Sequence, residues 1–79
     1  METVCEVVGY EVVISEETGE QSGYRIFATR PLSASSTGEG IETLREYISC
    51  KYIDYKPVIG DRVVFIKNQR GFNERVIKF

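Results

Sequence analysis

Two short stretches of this chain interleave aromatic and basic side chains, and they carry its clearest hint of chemistry. Residues 51–56 read Lys-Tyr-Ile-Asp-Tyr-Lys, which sets Tyr52 and Tyr55 beside Lys51 and Lys56. Further upstream, Phe27 stands between Arg25 and Thr29 on one face of an alternating run. Rings that stack on bases, next to cations that neutralise phosphates, are what a single-stranded nucleic acid requires of a protein surface. Each feature also has a purely structural reading. One of the two tyrosines can fill the core while the other covers it, and Phe27 can point inward with the Tyr24 face outside.

Catalytic chemistry has little to work with. The chain has no histidine, which excludes Ser-His and Cys-His nucleophile systems. Paired carboxylates can act as acid and base, but Asp54 and Asp61 flank turn signals and the glutamates fall mainly in loops or at outward strand positions. The expectation is a protein that is not an enzyme and needs no cofactor. Cys5 and Cys50 form no Cys-x-x-Cys motif, and without histidine a structural zinc site is not expected. No secretory signal is expected, so the two cysteines read as reduced, partly buried thiols of a cytoplasmic protein, with a disulfide between them as the alternative. Gly38-Glu39-Gly40 is followed by no Gly-Lys-Ser/Thr, so it is no phosphate loop.

The 79 residues suffice for one domain, spanning 1–79, with a modest core. No apolar run is long enough for a membrane-spanning helix. The formal net charge of −2 is unevenly spread: residues 1–40 hold seven acids and two bases, residues 41–79 five acids and eight bases. The second half is therefore the better candidate for an anion-binding face, although ordinary solvated charges give the same count.

The elements that would position these residues are mostly strands. Residues 56–79 organise the rest. Pro57 holds Lys56 extended, Gly60-Asp61 is a turn dipeptide, and Val63, Val64, Phe65 and Ile66 form an apolar run expected to be a central strand from about Arg62. Residues 68–71 are a hairpin loop with Gly71 in the left-handed region, and a last strand is expected over 73–79. At the other end, residues 3–15 predict a long strand whose better apolar face is the even one. Gly9 marks a bulge or bend in it. A long bent first strand that pairs with two partners is how small five-stranded barrels close.

Between these ends, residues 16–23 read as an acidic loop turning at Gly19 and Gly23, residues 24–31 as a second strand, and residues 32–40 as a Ser- and Gly-rich loop. Residues 39–50 predict the one helix. Ile41, Leu44 and Ile48 make its apolar stripe, with Tyr47 adjacent and Thr37 as cap. Residues 51–55 are a short strand or an extended linker. The fold class expected is mostly β with one short helix.

The terminal stretch KPVIGDRVVFIKNQRGFNERVIKF resembles in layout the C-terminal half of the single-stranded-DNA-binding proteins of filamentous phages and related mobile elements. In both, a Pro-Gly turn leads to a strand, a Gly-Phe tip and a final basic-apolar strand. The resemblance implies a small five-stranded OB-like barrel that binds single-stranded DNA without strong sequence preference. Arg25, Lys51, Lys67 and Arg70 would contact phosphates, and Phe27, Tyr52, Tyr55 and Phe72 would stack on bases. Arg70-Gly71-Phe72 at the hairpin tip is the sharpest local candidate. The chain departs from the pattern in its negative charge and in a helix placed before residues 51–55, which leaves the third strand unassigned. Two other classes stay open: an SH3-like module that binds a polypeptide through exposed aromatics, and an acidic regulatory protein that uses its Glu-rich first half. A homodimer is left open for the nucleic-acid-binding reading, as is whether a mate covers the first strand's edge.

Overall fold

A computed structural model describes residues 4–32 and 38–79. Residues 33–37, including the proposed Thr37 cap, and Thr3 lie outside the described residues. Five strands form: β1 (Cys5–Ile14), β2 (Gln21–Pro31), β3 (Ile41–Ser49), β4 (Arg62–Lys67) and β5 (Asn73–Lys78). They make a single antiparallel sheet in the order β3-β2-β1-β4-β5.

The first strand serves two partners, as its length predicts. Its start pairs with β4 (Cys5 opposite Val63), and most of its length pairs with β2. The register slips between Val7 and Gly9. Val8 is thus an extra residue, and it stands 47% exposed. The slip exchanges the two faces. Before it the odd residues Cys5 and Val7 are buried, and after it the even residue Tyr10 packs on the core. The expectation of one even apolar face along the whole strand is therefore corrected. Beyond Tyr10, Val12 and Ile14 are about half exposed, at 47% and 52%.

The expected helix over 39–50 is also corrected, because these residues form β3. Burial alternates strictly along it, with Glu42, Leu44, Glu46 and Ile48 on the inner side. Two inward glutamates concealed this period of two. They are tolerated because other strands supply their partners. Arg30 Nε on β2 donates to Glu42 Oε2 at 2.9 Å, and Lys67 Nζ on β4 donates to Glu46 Oε2 at 2.7 Å. No helix occurs among the described residues. The chain from 50 to 61 is irregular, so residues 51–55 are a connection and not a strand.

The terminal hairpin forms where expected. Asn68 N donates to Phe72 O, Gly71 N donates to Asn68 O, and Asn68 Oδ1 accepts from both Arg70 N and Phe72 N. Gly71 closes the loop at φ +85°, a conformation that glycine adopts without a Cβ penalty. Gly23, expected in a turn, lies inside β2. A Cβ there would come within 2.2 Å of Ile48 O and 2.9 Å of Tyr47 Cζ, so the position is held bare by close packing.

The core collects Cys5 and Val7 from β1, Ile26 and Ala28 from β2, Ile48 from β3, Val63 from β4 and Val76 from β5, with Ile53 from the connection. Tyr10 and Tyr24 pack against it edge to face, with centroids 6.0 Å apart. Cys50 is exposed and Cys5 buried, and they form no disulfide.

The two outer strands of the sheet curl toward each other. Among the described residues no backbone ladder joins β3 to β5. One side chain bridges them instead: Asn73 Nδ2 on β5 donates to Glu46 Oε2 and to Tyr47 O, both at 2.9 Å. The sheet is thus deeply curved, and its seam is held by polar side chains.

Candidate nucleic-acid interface

The strand alternation of β2 fixes the first half of the surface. Ile26 and Ala28 are buried, so Arg25, Phe27 and Thr29 face out. Across β3 the outward residues are Thr43, Arg45 and Tyr47. The register sets Arg25 opposite Tyr47 and Phe27 opposite Arg45. Two cations and two rings therefore alternate like the squares of a board on the outer face. Phe27 also leans over bare Gly9, where a Cβ would lie 3.7 Å from its ring. Arg25 is paired with Glu11 on β1, while Arg45 has no salt bridge among the described residues.

Tyr47 carries this platform into a groove of about 490 Å³ at the seam. Tyr52 from the connection and Phe72 from the β4–β5 tip line the same groove. Their exposures are 43% for Tyr47, 52% for Tyr52 and 67% for Phe72, so three rings remain available to a ligand. Each ring's residue is tied down by a hydrogen bond nearby. Tyr47 OH donates to Ser22 Oγ at 3.2 Å, Tyr52 N donates to Ser49 O at 2.9 Å, and the Asn68 turn fixes Phe72. The polar side of the groove is made by Glu46, Ser49, Lys67, Asn68 and Asn73.

Cations surround it. Lys67 and Arg70 line one adjoining depression, and Lys51 with Arg75 lines another beside Tyr52. Among the described residues Arg45, Lys51, Arg70 and Arg75 take part in no salt bridge, whereas Lys67 is tied to Glu46. Four cations are thus left uncommitted around the rings.

Of the residues proposed from sequence, Tyr52, Lys67 and Phe72 meet in the groove, Arg70 and Lys51 flank it, and Arg25 and Phe27 lie on the adjoining platform. Tyr55 is placed elsewhere. It is half-buried against the core, its hydroxyl is buried without a hydrogen-bond partner among the described residues, and Lys78 Nζ sits 5.6 Å from its ring centroid. Burial, reinforced by the charges of Asp61 and Asp54, holds its phenol above the ordinary value of 10.0. Arg45, Tyr47 and Glu46 were not anticipated as site residues, because a helical reading scattered them around a cylinder. The signal that finds them is the alternation Thr43, Arg45, Tyr47 once the segment is treated as a strand.

No group of three or more His, Cys, Asp or Glu side chains able to hold a metal ion occurs among the described residues. No family model, no curated protein and no solved structure matches this chain.

Proposed function

We propose that the protein is a small OB-like barrel that binds single-stranded nucleic acid, DNA being the form its resemblance implies. The observation that carries this reading is the groove walled by Tyr47, Tyr52 and Phe72, continuous with the Arg25–Phe27–Arg45 platform and flanked by uncommitted cations. Stacking serves any base, and cations at the rim follow the backbone, so most of the binding energy is tolerant of sequence. The strand order supports the fold half of the proposal. Small five-stranded barrels close through a long first strand that pairs with two partners, and here β1 pairs with both β2 and β4 while β3 meets β5 at Asn73.

The test is fluorescence anisotropy of a labelled oligo-dT titrated at low and near-physiological salt. With Arg45, Lys51, Arg70 and Arg75 on phosphates, the slope of log K against log salt is about −3. Tyr52→Ala and Phe72→Ala each weaken binding by about 1–3 kcal/mol through a lost stack. Absence of saturable binding at low salt overturns the proposal and leaves a polypeptide-binding module as the reading to pursue.

A further inference from the structure

Half of the first strand has a neighbour on one side only. On the side away from β2, β1 meets β4 at Cys5 and Glu6, and Val7 exchanges backbone bonds with Gly60 and Asp61. Beyond the slip, residues 9–14 bond no backbone other than that of β2 among the described residues. Ser15 N donates to Glu20 O across the β1–β2 turn. Alternation along an antiparallel strand therefore turns the N–H and C=O of Ile14, Val12 and Tyr10 the other way, toward an open edge. The side chains of the same three residues share the inner face. Tyr10 packs on the core, but Val12 and Ile14 remain 47% and 52% exposed. An open edge with an apolar face is a template for another strand.

We infer that this edge receives β1 of a second copy, running antiparallel about a two-fold axis through Val12. That register sets Val12 opposite Val12 and Tyr10 opposite Ile14. These are the residues whose backbone groups face the edge, so the three N–H groups of each copy meet the three C=O groups of the other. Charge selects the register. Glu11, the one ionisable acid or base within residues 9–14, falls opposite Val13, and Arg25 already answers its charge. An axis at residue 11 would set Glu11 against Glu11, which is unfavourable. An axis at residue 13 would set Tyr10 opposite Glu16, which belongs to the turn and not to the strand. The Val12 axis also brings the acidic turn of one copy, with Glu16, Glu17 and Glu20, toward Lys56 of the other. Lys56 Nζ stands 5.9 Å from the Tyr10 ring centroid and takes part in no salt bridge among the described residues. Such a two-fold contact uses each edge once, so association stops at two copies. The axis is perpendicular to the sheet, and the outer faces of both copies point the same way. The two Arg25–Phe27–Arg45 platforms then share one face, with β2 and its mate about 14 Å apart across three strand spacings. The pairing itself does not depend on nucleic-acid binding.

The test is sedimentation equilibrium of the full chain without nucleic acid. The native mass is expected to rise with concentration from 9.0 kDa and to level off at twice that value. Val12→Lys sets two ammonium groups against each other on the axis, at a side chain already half exposed, and should stay at 9.0 kDa over the same range. Ile41→Lys, at a more exposed apolar residue on β3, should associate as the native chain does. A native chain that stays at 9.0 kDa up to about 1 mM, where little binding energy is left to find, overturns the inference and leaves the edge to a foreign strand. Growth beyond two copies overturns the closed pairing. A dimer that survives in folded Val12→Lys, or one lost equally in Ile41→Lys, overturns the place given to β1. Should Val12→Lys not fold, hydrogen exchange on the native chain decides. The amides of Tyr10, Val12 and Ile14 should exchange more slowly at high protein concentration, and unchanged exchange at all three overturns the inference.

Discussion

Replacing Asn73 by alanine should open the seam between β3 and β5. Asn73 Nδ2 makes two hydrogen bonds at 2.9 Å, one to the Glu46 carboxylate and one to Tyr47 O. A bond to a charged group is worth about 1.5–3 kcal/mol and a neutral one about 1 kcal/mol. The substitution also removes the buried, partnerless Oδ1, which returns about 1 kcal/mol of desolvation. The balance is a loss of about 2 kcal/mol. Native stability runs at roughly 0.05–0.15 kcal/mol per residue, so this is a large fraction of the total for so short a chain. In urea, with an m value near 1 kcal/mol/M for a small domain, the midpoint should fall by about 2 M at unchanged m. Asn73→Leu retains volume but not the bonds, and should fall nearly as far. A midpoint within about 0.5 M of the native protein for both variants would refute the claim that this side chain holds the seam. A large fall for alanine alone would show that packing, not hydrogen bonding, is what Asn73 provides.

Two further outcomes are expected. Gly23→Ala forces a Cβ to 2.2 Å from Ile48 O, a backbone atom that cannot rotate aside. It should cost about 3 kcal/mol or more and lower the melting temperature by more than about 10 °C, whereas Gly19→Ala, at φ +72° with open space around it, should cost about 1 kcal/mol. Tyr55→Phe removes a buried hydroxyl without a partner and should raise stability by about 1 kcal/mol at neutral pH. It should also flatten the alkaline limb of a stability–pH curve. Burial holds the Tyr55 phenol above 10.0, and it holds the Cys5 thiol above 9.0 against the opposing pull of Arg30. Both raised values mean that the folded chain keeps protons which the unfolded chain releases. Their contribution is complete below the ordinary values and is lost as pH rises through the folded ones. A chemical-denaturation series from pH 7 upward reads both effects, and a Tyr55→Phe curve parallel to the native one above pH 10 would refute the tyrosine's part.

The local signals that proved legible were those whose causes lie within a few residues. Gly71 and Asn68 specify the β4–β5 turn from inside the turn, and Val63 with Val64 declares a strand buried on both sides. What escaped a linear reading depends on distant partners. Glu42 and Glu46 look like polar faces of a helix until strand pairing brings Arg30 to the first and the curl of the sheet brings Lys67 to the second. Val8 looks like one more residue of an even apolar face until the slip at Gly9 places it outside. The candidate site divides in the same way. Tyr52, Lys67 and Phe72 were visible as rings and a cation near turns. Tyr47 and Arg45 became visible only with β3 in register beside β2, and the inward tilt of Tyr55 is decided by the core it meets.

The seam has a consequence for how copies of this protein behave in a crowd. Where neighbouring backbones are not laced together, two strand margins remain available as templates for another chain, the usual starting point for fibrous self-association. Here those margins carry charge. Arg45 is exposed along β3, and Glu74, Arg75 and Lys78 are exposed along β5. A foreign strand laid against either margin would have to strip water from ionised groups along its length. Arg45 and Arg75, proposed to hold a nucleic-acid backbone, thus also help to keep the molecule dispersed, and neutralising them would be expected to weaken binding and colloidal stability together.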